Sequence, residues 1–230
     1  MKMKHLPFAV FGFLSLVLIS CAPVYIPNVI NAPLLSNAGE VQLTVYTATS
    51  GFDPQFALAL SDNIGIMLNG SFDEITYQDS DDYRKHKFFE MGAGYYKKLN
   101  ENFRFETFGG YGFGTIQADG SNYQWISQWD SHTAINSKRF FFQPAVGATF
   151  QPIEFCFSAR IVHLRLTQKD RSSQSMFFEP AVTGKLIYKR LRGVMQLGFS
   201  LPVGSYDLAL EYQPVMLSLG LGVNFGKLNE

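Results

Sequence analysis

From Gly39 onward the chain alternates apolar and polar residues with period two, and no long 3.6-residue period appears. Ten strands are predicted, at roughly 40–49, 53–60, 64–73, 87–97, 103–117, 138–150, 154–167, 175–188, 193–200 and 212–225. In the third, Ile64, Ile66, Leu68 and Phe72 share one face, with Gly65, Asn69, Ser71 and Asp73 on the other. The fifth sets Phe103, Phe105, Tyr111 and Phe113 against Arg104, Glu106, Gly110, Gly112 and Gly114. In the eighth, Met176, Phe178, Val182, Leu186 and Tyr188 oppose Glu179, Thr183 and Lys185. Two strands break the rhythm, the seventh near Ile161-Val162 and the tenth near Val215-Met216, and a bulge is expected at each.

Short turn-like connections (61–63, 99–102, 151–153, 189–192) alternate with longer polar ones (74–86, 118–137, 168–174, 201–211). The tight first hairpin at Ser50-Gly51-Phe52 is the exception. Short turns at one end, longer loops at the other and an even strand count are the signature of a transmembrane barrel. Many strands reach the roughly 9–11 residues that a tilted membrane strand needs. Aromatics fall near both ends, Phe72, Phe89, Phe142 and Phe178 by the long loops and Tyr95, Phe150, Tyr188 and Phe225 by the short turns, as interfacial girdles do. The predicted fold is all-β, a closed antiparallel up-and-down transmembrane β-barrel of ten strands, with eight as the alternative count. Its apolar faces point out and its polar faces in; a soluble barrel or sandwich would invert them.

A motif recurs once per hairpin. Asp53-Pro54, Gln143-Pro144 (in FFQPAV), Glu179-Pro180 (in FFEPAV) and Gln213-Pro214 fall near the starts of even-numbered strands, and Glu90-Met91 is a fifth member without proline. Proline cannot donate to a ladder, so these residues are expected at the rim, with the acid or amide before each turned inward as a polar ring near one mouth. Buried charges persist only when paired. The expected lumen network is therefore Asp53, Glu90, Arg104, Glu106, Arg139, Gln143, Arg160, Glu179 and Lys185, with acceptors and cations satisfying one another; a selectivity ring is the sharper alternative. Ten strands enclose little more than eight do, and long polar side chains narrow the bore further, which argues against an open pore.

The N-terminus changes the picture of location. Lys2 and Lys4 precede an apolar run, Leu6 to Ser20, that is too short to span a bilayer and fits a secretory signal. The run ends Leu18-Ile19-Ser20-Cys21, which resembles the lipobox of bacterial lipoproteins. That resemblance implies cleavage before Cys21 and acylation of it. Residues 1–20 are then a signal peptide and 21–38, with Pro23, Pro27 and Pro33, a lipidated extended tether before the barrel at 39–230. No acidic export signal follows Cys21, so an inner-leaflet anchor is expected, with both termini periplasmic and the long loops outside. Cys156, left without a partner, reads as a small buried residue.

Composition excludes some partners. Nineteen basic residues balance 19 acidic ones, without the excess that nucleic-acid binding requires. Twenty-two Phe, 11 Tyr and 20 Gly accompany a mean hydropathy close to zero. No phosphate-binding, metal or nucleophile-elbow motif occurs, so no cofactor or metal is expected. His86 and His132 are placed in outer loops and His163 near the loop end of its strand; Asp130-Ser131-His132 imitates a catalytic set by adjacency alone. Tyr123, Trp125 and Trp129 in 118–137 are candidate contacts for an external ligand, or a lid.

Together these features resemble small outer-membrane β-barrel lipoproteins of Gram-negative bacteria. The resemblance implies the outer-membrane lipid bilayer as the location; with the narrow bore and the loop composition, the expectation is a monomer with a plugged lumen, contacting an extracellular ligand or protein through loops 74–86 and 118–137. An outer-membrane lipid- or peptide-modifying enzyme and a periplasmic lipocalin-like lipid-binding lipoprotein are the alternatives.

Overall fold

The computed structural model describes residues 23–76, 83–119, 134–204 and 212–226. Its strands are β1 (Val41–Ala48), β2 (Gly51–Ala59), β3 (Ile64–Thr76), β4 (Tyr83–Lys98), β5 (Phe103–Asp119), β6 (Ile135–Phe150), β7 (Ile153–Gln168), β8 (Arg171–Tyr188), β9 (Leu191–Phe199), β10 (Leu201–Val203) and β11 (Val215–Asn224). From β1 to β9 each strand pairs antiparallel with the next, β9 pairs with β11, and β11 closes the circle on β1. β10 continues β9 past Ser200 in the same register against β8, so the two form one stave and the barrel has ten.

The outward face is apolar through the middle of the wall: Leu68, Phe103, Phe113, Val146, Phe157, Val182, Met195 and Leu219 are all exposed. The lumen holds the charge, with Arg139, Arg160, Glu90 and Glu179 buried. A hydrocarbon surrounding is what stabilises that distribution, so the barrel spans a membrane and the lipocalin-like arrangement is excluded.

The wall has unequal height. β4 to β8 run to 16–18 residues, whereas β1, β2 and β11 have 8–10 and the β9–β10 stave, from Leu191 to Val203, is intermediate. At about 3.3 Å per residue and a tilt near 40°, the short staves rise about 20–25 Å, enough for the apolar band, and the tall ones about 40 Å. The excess projects at the end opposite the short turns, and there the polarity inverts. Lys87, Lys138, Arg165 and Gln174 now face out, while Ile116, Ile135, Val162, Leu164 and Leu166 pack inward with Phe141 and Phe177.

This inversion corrects the bulge expected in β7. Its pairing with β6 and β8 keeps one parity throughout; what changes at Ile161-Val162 is the outside solvent, from lipid to water. β11 needs no shift either, because it starts at Val215 and buries Met216 beside Ile30. The long-loop regions shrink as the strands lengthen. β3 and β4 extend into 74–86, and β7 and β8 close on Lys169-Asp170, so 168–174 is no loop.

Candidate functional site in the lumen

Residues 23–35, expected as a tether outside the barrel, run through its lumen; all are buried except half-buried Ile26. The path is monotonic. Tyr25 bridges to Tyr212 at the low rim of the long-loop end, and its carbonyl accepts the Gln213 backbone N–H (2.9 Å). Val29 lies by Asp53, Asn31 by Asn69 and Gln143, Leu34 by Glu106 and Gly147, and Ser36 by Arg104 and Glu40 near the short turns. The chain then reverses into β1 at Gly39, whose φ of +78° is a glycine conformation.

A single extended segment has no ladder partner, so its buried N–H and C=O groups need side chains. Asp53 Oδ2 accepts the Val29 N–H (2.8 Å) while Gln55 Nε2 donates to the Val29 carbonyl (2.7 Å). Gln196 clamps Ile30 with both ends of its amide, each at 2.9 Å. Gln143 donates to the Asn31 carbonyl (2.7 Å), Lys185 to that of Ala32 (2.8 Å), and Glu106 accepts the Leu34 N–H (2.8 Å). Pro27 and Pro33 remove two donors that would otherwise need partners. The wall leaves room for the segment: a Cβ on Gly147 would collide with Leu34 Cδ1.

Charge is arranged at two levels. At mid-lumen, Arg139 pairs with Glu90 (2.8 Å), and Arg160 pairs with Glu179 (2.6 Å) and approaches Glu90 (3.7 Å). Both guanidiniums donate to the Asn28 side-chain oxygen, and Tyr25 Oη donates to Glu179 (2.6 Å). Two acids, two arginines and two residues of the luminal segment thus form one neutral network. Nearer the short turns, Lys185 pairs with Glu154 (2.8 Å), which also lies 3.6 Å from Arg104.

All nine wall residues of the expected network point inward and are buried. They are joined largely through the luminal segment, which that network leaves out. Sequence reasoning also misses Glu154, Gln55, Asn69, Gln196, Tyr25 and Asn28 as network members. The first four sit at inward parity on their strands, a signal the sequence carries; Tyr25 and Asn28 lie in a stretch with no period. The proline positions differ as well. Pro144 and Pro180 lie deep within β6 and β8, not at the rim, and the polar ring is at mid-lumen. The missing donors are accommodated by gaps in the ladder: β2–β3 pairing skips Asp53-Pro54, β6–β7 skips Gln143-Pro144, and β8 changes partner from β9 to β10 across Glu179-Pro180. Gln213 instead lies half-buried at the rim.

His86 is no loop residue; it faces inward from β4, buried, with Nε2 3.0 Å from Ser71 Oγ. Tyr25 and Ile26 of the luminal segment stand beside it. Among the described residues no acid orients the other ring nitrogen, so the contact lacks the geometry of a nucleophile–base–acid set there. His163 sits half-buried on the outer face of β7. Cys21, Tyr123, Trp125, Trp129, Asp130, Ser131 and His132 lie outside the described residues.

No protein-family model matches the chain, and no curated protein does. Among solved structures it is similar to an outer membrane channel from Pseudomonas putida F1, with 12% identity and a TM-score of 0.48 over 86% of this chain and 100% of that one.

Proposed function

We propose that this protein is a monomeric outer-membrane β-barrel lipoprotein, acylated on Cys21, whose lumen is plugged by its own N-terminal segment and which acts through its outer loops in a structural or binding role. The observation that supports the plug is the pairing of the segment's backbone, from Val29 to Leu34, with side chains from opposite sides of the wall, which ties it across the bore. A catalytic role finds no support among the described residues, whose serine–histidine contact in the lumen lacks an orienting acid. The tall extramembrane wall carries the chain past the bilayer toward residues 77–82 and 120–133, which fits contact with an external partner there.

Planar-bilayer recording tests the plug. The wild type is expected to show no unitary current steps, and a variant lacking residues 24–35, selected for heat-modifiable gel migration, to show them. Steps of equal size in both proteins would sink the plugged-lumen reading.

A further inference from the structure

We infer that residues 23–36 are an eleventh crossing of the membrane, made inside the barrel from the long-loop end to the short-turn end, so that the acyl chains on Cys21 sit in the leaflet on the long-loop side, opposite the C-terminus. This rests on the lipoprotein reading for the acyl chains, though not for the direction of the crossing.

The direction follows from pairs along single staves. As the segment advances from Asn28 to Asn31 to Leu34, its partners on β6 advance from Arg139 to Gln143 to Gly147, toward the short turn at Gln151-Pro152. On β8 the same advance runs from Glu179 at Tyr25 to Lys185 at Ala32 and Pro33. β1 then starts at the short-turn end, where Val41 pairs with Leu58, and β11 finishes there at Asn224. The barrel's ten staves bring the chain back to one side, and the luminal pass adds an odd crossing. The two ends of the described chain therefore lie at opposite mouths, against the expectation that both are periplasmic.

The position of Pro23 limits where Cys21 can be. Two trans peptide units separate them, about 7 Å at full extension. Tyr25 is level with the low rim, where it meets Tyr212 and Gln213. That rim is the top of β1, β2 and β11, and exposed Phe52 and Phe199 lie on its outer face, with exposed Leu201 and Val203 just above on β10. Acyl chains leaving over it meet lipid directly. The return route is shut, because the lumen below is occupied by the segment itself. Transfer of each acyl CH2 into hydrocarbon is favourable, which draws the chains over that rim into the bilayer.

The test introduces one cysteine at a time into a Cys156→Ala background, whose own labelling, from Cys21 alone, is subtracted, and labels cells with a membrane-impermeant maleimide before and after permeabilisation. Ala22→Cys is expected to label equally in both conditions and Lys227→Cys at least tenfold less on intact cells. Labelling of Ala22→Cys only after permeabilisation, or of both positions on intact cells, would overturn the crossing. If Ala22→Cys is shielded in both conditions, an epitope inserted between Ala22 and Pro23 decides by antibody binding to intact cells. Metabolic labelling with an alkyne fatty acid separates the underlying reading. Absence of incorporation in the wild type refutes the anchor while the cysteine labelling still reports the direction; incorporation lost in Cys21→Ser supports it.

Discussion

The two halves of β7 share one pleat but follow opposite chemistry. From Glu154 to Arg160 the inward residues include Glu154, Ser158 and Arg160, and Phe155, Phe157 and Ile161 face out. From Val162 to Leu166 the inward residues are apolar and fully buried, and His163 and Arg165 face out. One half stands in lipid with a charged, segment-filled interior; the other stands in water with an ordinary oily core. A strand's pattern therefore reports the contrast between its two sides, and it reverses where the medium outside does.

That contrast is most exposed to a single substitution at Arg160. Replacement by Met removes the cation shared by Glu179 and Glu90 in a dry interior, and is expected to destabilise by about 3–5 kcal/mol in urea titrations of the vesicle-inserted barrel. A loss under about 1 kcal/mol would mean that the mid-lumen network contributes no more than a surface ion pair does. In the upper half the inward position should behave as a soluble core does. Leu164→Ala is expected to cost about 2–5 kcal/mol through cavity formation in the same assay. A neutral result would place Leu164 in water. The outer face sharpens the contrast with one introduced residue tried twice. Phe157→Arg puts a charge in the hydrocarbon and should cost about 2–4 kcal/mol, whereas Thr167→Arg, on the water-facing half, should change stability by less than about 0.5 kcal/mol. Equal penalties at the two positions would remove the boundary placed between Ile161 and Val162.

The luminal site differs from the wall in how much of it is legible. Asp53, Glu90, Gln143 and Glu179 are marked in the sequence by the acid-or-amide repeat, and Arg139, Arg160 and Lys185 by parity. Their partners are not marked, because Lys185, Gln143 and Gln196 bind backbone groups of residues 30–33, and any sequence offers a backbone. The segment's fit is written in absences, such as the missing side chain of Gly147 and the missing donors of Pro27 and Pro33, which local pattern reading takes for linker composition.

By itself the sequence determined the number of staves, their order and which face of each is polar within the membrane. These depend on a period of two and on turn spacing, both local. The tertiary structure decided three things: that residues 23–35 lie inside, that prolines sit in ladder gaps at mid-wall, and that the tall staves leave the membrane. Each depends on what stands across the lumen or outside the wall. Asn28 meets Arg139 and Arg160 from positions 111 and 132 residues away in the chain. Only closure of the barrel brings those groups together, and it does so because a charge left unpaired in that interior would cost more than the segment loses by becoming ordered.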